Sequence, residues 1–181
     1  IKSRLSNVLR TERLRAVRVA ESDRDYWDAL SPMMGSPVSL GDGWKHAHQE
    51  LVLLVAREPV ARAEVDYRLE DDGSLYYVGI IAGYAGDGDD ARMDTFLVQA
   101  SEDKIVFEVW RHDGDSWAKL LSRNVKDLPL QGTLAVVQEG TKATVSVDGQ
   151  TIGTYELQRP APSKMGIRSM NAYFRPPNKE R

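Results

Sequence analysis

From Gln49 onward the chain alternates apolar and polar residues with a period of two, in short runs that are each cut off by an acidic, glycine or proline cluster. That period belongs to strands buried on one face, and it excludes long amphipathic helices from this part of the chain. The predicted strands cover roughly 49–57, 60–69, 75–83, 93–101, 104–112, 116–123, 133–139, 142–148, 151–157 and 164–171. Turns are expected at Glu58-Pro59, Asp71-Asp72-Gly73, 86–90, Glu102-Asp103, Asp113-Gly114-Asp115, Glu139-Gly140 and Asp148-Gly149. Strands this close together leave no room for crossover helices, so their pairing is antiparallel. The fold class expected is all-β, a two-sheet antiparallel jelly-roll sandwich.

Alternation also assigns faces. In ARAEVDYRL, Ala61, Ala63, Val65, Tyr67 and Leu69 share the core side, and Arg62, Glu64, Asp66 and Arg68 point the other way. In KIVFEVWRH, Ile105, Phe107 and Val109 are the core side, and Glu108, Trp110 and His112 the polar one. In ATVSVDGQTIGTYEL, Ala143, Val145 and Val147 face the core, Thr144 and Ser146 face water, and Asp148-Gly149 makes a hairpin turn because glycine accepts positive φ freely. If these polar sides share one sheet, they form a charged face carrying one large aromatic ring.

The 181 residues suffice for one domain that buries about two-thirds of its unfolded surface. With no cysteine, disulfides, thiolate metal sites and thiol nucleophiles are excluded. The longest uninterrupted apolar run, LVLLVA (51–56), is far shorter than the ~18 residues a transmembrane helix needs. Gly-x-Ser-x-Gly, phosphate-loop and dinucleotide motifs are missing, so phosphoryl and hydride transfer lose their usual support. Charge is uneven. Residues 1–20 set Lys2, Arg4, Arg10, Arg13, Arg15 and Arg18 against Glu12, a net +5; with -3 for the whole chain, the rest holds -8. An acidic body argues against nucleic acid as a partner, since phosphate binding draws on clustered Lys and Arg.

Leu5, Val8, Leu9, Ala16, Val17 and Ala20 recur near the helical period, so a basic helical leader is expected, followed by a Ser/Pro/Gly loop (SPMMGSPVSLGDGW). Residues 1–43 are thus read as leader and loop, 44–175 as the sandwich and 176–181 as a tail. The polar, proline-containing FRPPNKER is expected to run along the surface. An Ile at position 1 fits a piece trimmed from a longer exported or cell-envelope chain, with further domains expected.

The segments VDYRLEDDGSLYYVGIIAG, FEVWRHDGDSW, LAVVQEGTKATVSVDGQTIGTYEL and SKMGIRS together resemble the concanavalin A-like lectin/glucanase superfamily. Within it they are similar to bacterial laminin G-like domains and to the 3-keto-disaccharide hydrolase-like family. The markers are the late Val147-Asp148-Gly149 hairpin and the strand carrying Met165-Gly166-Ile167. What the resemblance implies is a jelly roll that binds glycans or proteins on one face or at its rim, and in some relatives cleaves glycosides. The β-glucan-cutting relatives carry a Glu-x-Asp-x-x-Glu type of run, whereas here Glu108 stands alone on its strand, against a retaining mechanism with two carboxyls about 5–5.5 Å apart. A pair drawn from different strands, Glu64 or Asp66 with Glu108, stays open.

The ligand-binding candidates are Arg62, Glu64, Asp66, Glu108, Trp110 and His112, because a ring for a sugar's apolar face beside carboxylate and imidazole hydrogen-bonding groups is the recipe for saccharide recognition. The alternative is that Trp110 packs under another segment and Glu108 pairs with Arg62 or Arg68. Asp87, Asp89, Asp90 and Asp94 form an acidic, glycine-spaced loop suited to Ca2+, although not in EF-hand spacing; a plain exposed turn is the alternative. His46 and His48 lack a clear third zinc ligand and read as a strand edge. The expected function is a non-catalytic binding or adhesion module for glycan or protein. A 3-keto-disaccharide hydrolase-like enzyme and a structural jelly roll in an assembly are the alternatives.

Overall fold

A computed structural model describes residues 31–34, 38–39, 41–46, 51–70, 72–85, 91–102 and 104–175. The expected leader helix and the tail 176–181 lie outside the described residues. The described strands are β1 (Ser31–Met34), β2 (Val38–Ser39), β3 (Lys45–His46), β4 (Leu51–Val60), β5 (Arg62–Arg68), β6 (Gly73–Ala85) and β7 (Arg92–Glu102). They continue with β8 (Lys104–His112), β9 (Trp117–Arg123), β10 (Gln131–Glu139), β11 (Lys142–Val147), β12 (Gln150–Glu156), β13 (Ser163–Met170) and β14 (Tyr173–Arg175). They form two seven-stranded antiparallel sheets: sheet A, in the order β1-β4-β13-β6-β7-β8-β9, and sheet B, in the order β12-β11-β10-β5-β14-β3-β2. Among the described residues, no helix is long and apolar enough to cross a membrane.

All ten predicted strands correspond to β4–β13, and three details differ. Glu58-Pro59 lies inside β4 rather than in a turn, and the β4–β13 register shifts beside it, where a residue without an N–H interrupts the ladder. The Ser/Pro/Gly stretch, expected as a loop, supplies the short strands β1 and β2 along the outer edges of the two sheets. Phe174 and Arg175, read as part of a surface tail, belong to β14, and Phe174 is fully buried. A two- to four-residue strand is too short to show alternation, so its neighbours rather than its own pattern define it.

The core lies between the sheets. Val78, Ile80, Phe96, Val98, Phe107, Val109 and Ile167 of sheet A meet Val65, Tyr67, Leu134, Val136, Val145 and Phe174 of sheet B. Each such side chain contributes roughly 1.5–3 kcal/mol relative to an exposed one. The Tyr67 hydroxyl donates to the Pro129 carbonyl at 2.8 Å, and burial drives its pKa far above the usual tyrosine range. Gln138, also buried, is fully used: its Nε2 donates to the Val60 and Ser163 carbonyls at 2.7 Å each, and its Oε1 accepts from Ser163 Oγ at 3.0 Å. It ties β10 of one sheet to β4 and β13 of the other.

The Asp148-Gly149 turn has positive φ at both residues, 50° and 83°, as a right-twisted two-residue hairpin requires. Asp148 does more than turn the chain. Its carboxylate accepts the Thr133 amide at 2.8 Å, and its own amide donates to the Thr133 carbonyl at 2.9 Å, so the hairpin tip is fastened to the start of β10.

Candidate ligand-binding face

The site is built on the outer face of sheet A, across β13, β6, β7, β8 and β9. Phe107 and Val109 take the core, and alternation turns Glu108, Trp110 and His112 outward. A bulge then alters β9: Val109 pairs with Leu121 but Trp110 pairs with Lys119, so Leu120 is the extra residue and is left 51% exposed. The bulge restores parity, so that Trp117 and Lys119 join Trp110 and His112 outside while Leu121 packs on the core.

Glu108 is an internal anchor. It is buried, its Oε1 accepts from the Trp110 indole N–H at 2.9 Å, and its Oε2 accepts from Ser122 Oγ at 2.8 Å, with Lys119 Nζ 3.8 Å away. Both oxygens are therefore occupied, and the Trp110 ring is held by its polar edge. His112 is also buried. Its Nδ1 lies 3.0 Å from the Ala91 carbonyl and 3.2 Å from the Gly114 amide; the shorter contact requires the proton on Nδ1, which leaves Nε2 a bare acceptor without a partner. Its ring meets the Trp117 ring edge-on, centroids 5.0 Å apart. Burial pushes the His112 pKa down, against the opposing effect of the Ala91 hydrogen bond.

Two members of the face were missed by reasoning from sequence. Trp117 lies in the quoted segment FEVWRHDGDSW but follows a turn, so its face is not assignable by alternation alone. Arg168, in SKMGIRS, points outward between the inward Ile167 and Ser169, and its charge gave the available signal. Arg168 stands opposite Gly79, where a Cβ would come within 2.2 Å of Leu97 Cδ2 and 2.7 Å of the Phe96 carbonyl. Gly79 is required because Leu97 leans into its place. Arg168 Nη1 donates to Thr95 Oγ1 at 3.1 Å, across the β6 strand. Its guanidinium carbon is 4.1 Å from the Trp117 ring centre, 4.9 Å from that of Tyr77 and 5.6 Å from that of Trp110. Burial lowers the Arg168 pKa, opposed by the Tyr77 hydroxyl and by Glu108.

The expected single polar face is divided between two sheets. Arg62, Glu64 and Asp66 lie on β5, with Thr144 and Ser146 nearby on β11, all in sheet B, whereas Glu108, Trp110 and His112 belong to sheet A. Alternation fixes which residues leave the core but not which of the two sheets carries the strand. Arg62 Nη2 pairs with Glu64 at 3.4 Å, and Asp66 takes Thr133 Oγ1 at 2.8 Å, Arg175 Nε at 2.8 Å and Arg175 Nη2 at 2.7 Å. Neither Glu64 nor Asp66 faces the same side of the molecule as Glu108. Nor does Glu108 pair with Arg62 or Arg68.

Of the calcium candidates, Asp87, Asp89 and Asp90 lie outside the described residues. Asp94 is buried, and its carboxylate accepts Arg111 Nε at 2.7 Å and the Gln158 amide at 2.9 Å. Among the described residues, no group of three His, Cys, Asp or Glu is arranged to hold a metal ion. His46 of β3, beside the sheet B edge strand β2, meets the Tyr173 ring of β14 at a tilt of 50° with centroids 4.3 Å apart, and His48 is outside the described residues.

Solved structures share this architecture. Carbohydrate binding module CBM66 from Bacillus subtilis matches with a TM-score of 0.63 at 12% identity, over 82% of this chain and 92% of that one. The chain has the concanavalin A-like lectin/glucanase fold. Other bearers of that fold include a native glycosidic hydrolase, with a TM-score of 0.53 at 10% identity over 77% of this chain and 80% of that one. Sheep galectin-11 matches with a TM-score of 0.50 at 14% identity, over 72% of this chain and 95% of that one. No protein-family model and no curated protein matches the sequence. The concanavalin A-like fold is thus shared with carbohydrate-binding modules, galectins and glycoside hydrolases alike, and the site must discriminate among them.

Proposed function

We propose that this domain is a non-catalytic carbohydrate-binding module that takes its ligand on the Trp110–Trp117 face of sheet A. The observation that carries the reading is the anchoring of Trp110: a half-buried indole whose N–H is held 2.9 Å from a buried carboxylate, beside a second half-buried indole, Trp117. Rings fixed in this way present apolar faces to a sugar without first losing rotamer freedom, which is how preorganised sites gain affinity. Lys119, 49% exposed at the rim, supplies donors for hydroxyl groups. The fold's occurrence in carbohydrate-binding modules and galectins supports the same reading.

Glycoside cleavage is less well supported. The carboxylates expected to work with Glu108 stand on the other sheet, and both Glu108 oxygens are already hydrogen-bonded. Trp110→Ala and Trp117→Ala, assayed on a glycan array and by calorimetry, are expected each to weaken binding by tenfold or more, about 1.4 kcal/mol. Binding unchanged in both variants overturns the reading. Release of reducing sugar from a bound oligosaccharide would replace it with the enzymatic one.

A further inference from the structure

Among the described residues, the charges on this face do not cancel. Glu108 is matched by Lys119, at 3.8 Å, and its two oxygens are further occupied by Trp110 and Ser122. Arg168 is left over: among the described residues no ion pair includes it, although it is only 7% exposed. Its Nη1 is used by Thr95, and its Nε, shielded from water, has no hydrogen-bond partner. Three aromatic rings surround the guanidinium, which compensates part of the desolvation but provides no counter-charge. A buried cation without an anion is unusual in a structure at rest, because buried charges are ordinarily paired.

We infer that the ligand of this face is an acidic saccharide, one carrying a carboxylate or sulfate group, whose negative charge is balanced by Arg168 together with Lys119 at the rim. This rests on the carbohydrate-binding reading and narrows it to a substrate class. A guanidinium matches planar, charged oxygen groups through its fork of donors, and one of those donors, Nε, is unused here. Packed among rings and away from water, its charge acts through a lower dielectric than a surface lysine would. A neutral sugar stacked on Trp110 and Trp117 leaves this charge unbalanced, and an amino sugar is repelled by it.

The test is calorimetry on the intact chain with matched probes: oligogalacturonate against its carboxyl-reduced form, and carrageenan oligosaccharide against its desulfated form. The expected result is that the charged member of at least one pair binds about tenfold tighter, and the pair that does so identifies the anion as carboxylate or sulfate. The advantage should shrink as NaCl rises from about 50 to about 300 mM. Arg168→Gln, confirmed folded by circular dichroism, should bring the ratio near one. Because Arg168 is buried, Lys119→Gln, at a residue 49% exposed, gives a second test and should reduce the ratio a few-fold. Equal affinity for charged and neutral members overturns this inference while sugar binding stands. A preference untouched by either variant also overturns it. If no member of either pair and no glycan on an array binds, the carbohydrate-binding reading fails with it.

Discussion

The outer faces of the two sheets are built from similar residues and resolve their charges in opposite ways. On sheet B, Asp66 is enclosed by both arms of Arg175 and by Thr133, and Arg62 leans on Glu64, so these carboxylates and guanidiniums neutralise one another, while Arg68 lies over the Tyr173 ring but is exposed to water. On sheet A, Arg168 lies among three rings with no carboxylate partner among the described residues, and the nearby acid, Glu108, holds the Trp110 indole N–H. A face whose polar groups are mutually satisfied stabilises the fold, whereas one with a leftover charge and braced aromatic rings is prepared for a ligand. The proposed ligand-binding face is accordingly that of sheet A.

The largest effect that would break this comparison is on sheet B. Asp66→Ala leaves Arg175 without its anion in a half-buried place and should cost about 3 kcal/mol in urea denaturation, with glycan affinity unchanged. Loss of affinity in that variant would move the site to sheet B. Glu108→Gln should cost about 1.5–3 kcal/mol, because charge-assisted bonds from Trp110, Ser122 and Lys119 weaken together, and it should reduce affinity as the Trp110 ring is released. Arg168→Met should show the reverse balance: a stability change under about 1 kcal/mol, since an unpaired buried charge is exchanged for an apolar chain of similar length, but a clear loss of ligand binding.

The smallest effect is in pH. His112 has a folded-state pKa below its unfolded value, so in acid the unfolded chain binds the proton more readily than the folded one. Stability from this group is fully present above the unfolded value of about 6.5 and is lost as pH falls from there through the lowered folded pKa. The melting temperature should therefore decline between about pH 7 and pH 5, and His112→Phe should flatten part of that slope. A slope of the same size in the variant would show that His112 is not responsible.

Much of the fold was legible because the signals are local. The period of two in ATVSVDGQTIGTYEL gives both strands of the hairpin, the core residues Ala143, Val145 and Val147, and the positive-φ turn. The outward direction of Glu108, Trp110 and His112 came from the same rule. What alternation cannot supply is the sheet to which a strand belongs, and for that reason Arg62, Glu64 and Asp66 were grouped with residues on the far side of the molecule. The surroundings of Glu108 and His112 were hidden for a related reason. Both look like exposed groups in sequence, but cross-strand neighbours bury them, Glu108 against the Trp110 indole N–H and His112 against the Trp117 ring. Arg168 on β13 stands opposite Gly79 on β6 and reaches Thr95 on β7, residues far apart in sequence that only the β13–β6–β7 pairing brings together.

The most direct test of the division between faces uses the indole N–H resonances of the tryptophans. Trp110 and Trp117 stand on sheet A, and Trp44 lies against Arg68 and Arg175 on the sheet B side. In a heteronuclear NMR titration with the tightest-binding oligosaccharide of a glycan panel, the account predicts saturable shifts of the Trp110 and Trp117 signals and a stationary Trp44 signal. A Trp44 signal that moves while those of Trp110 and Trp117 stay fixed would contradict it.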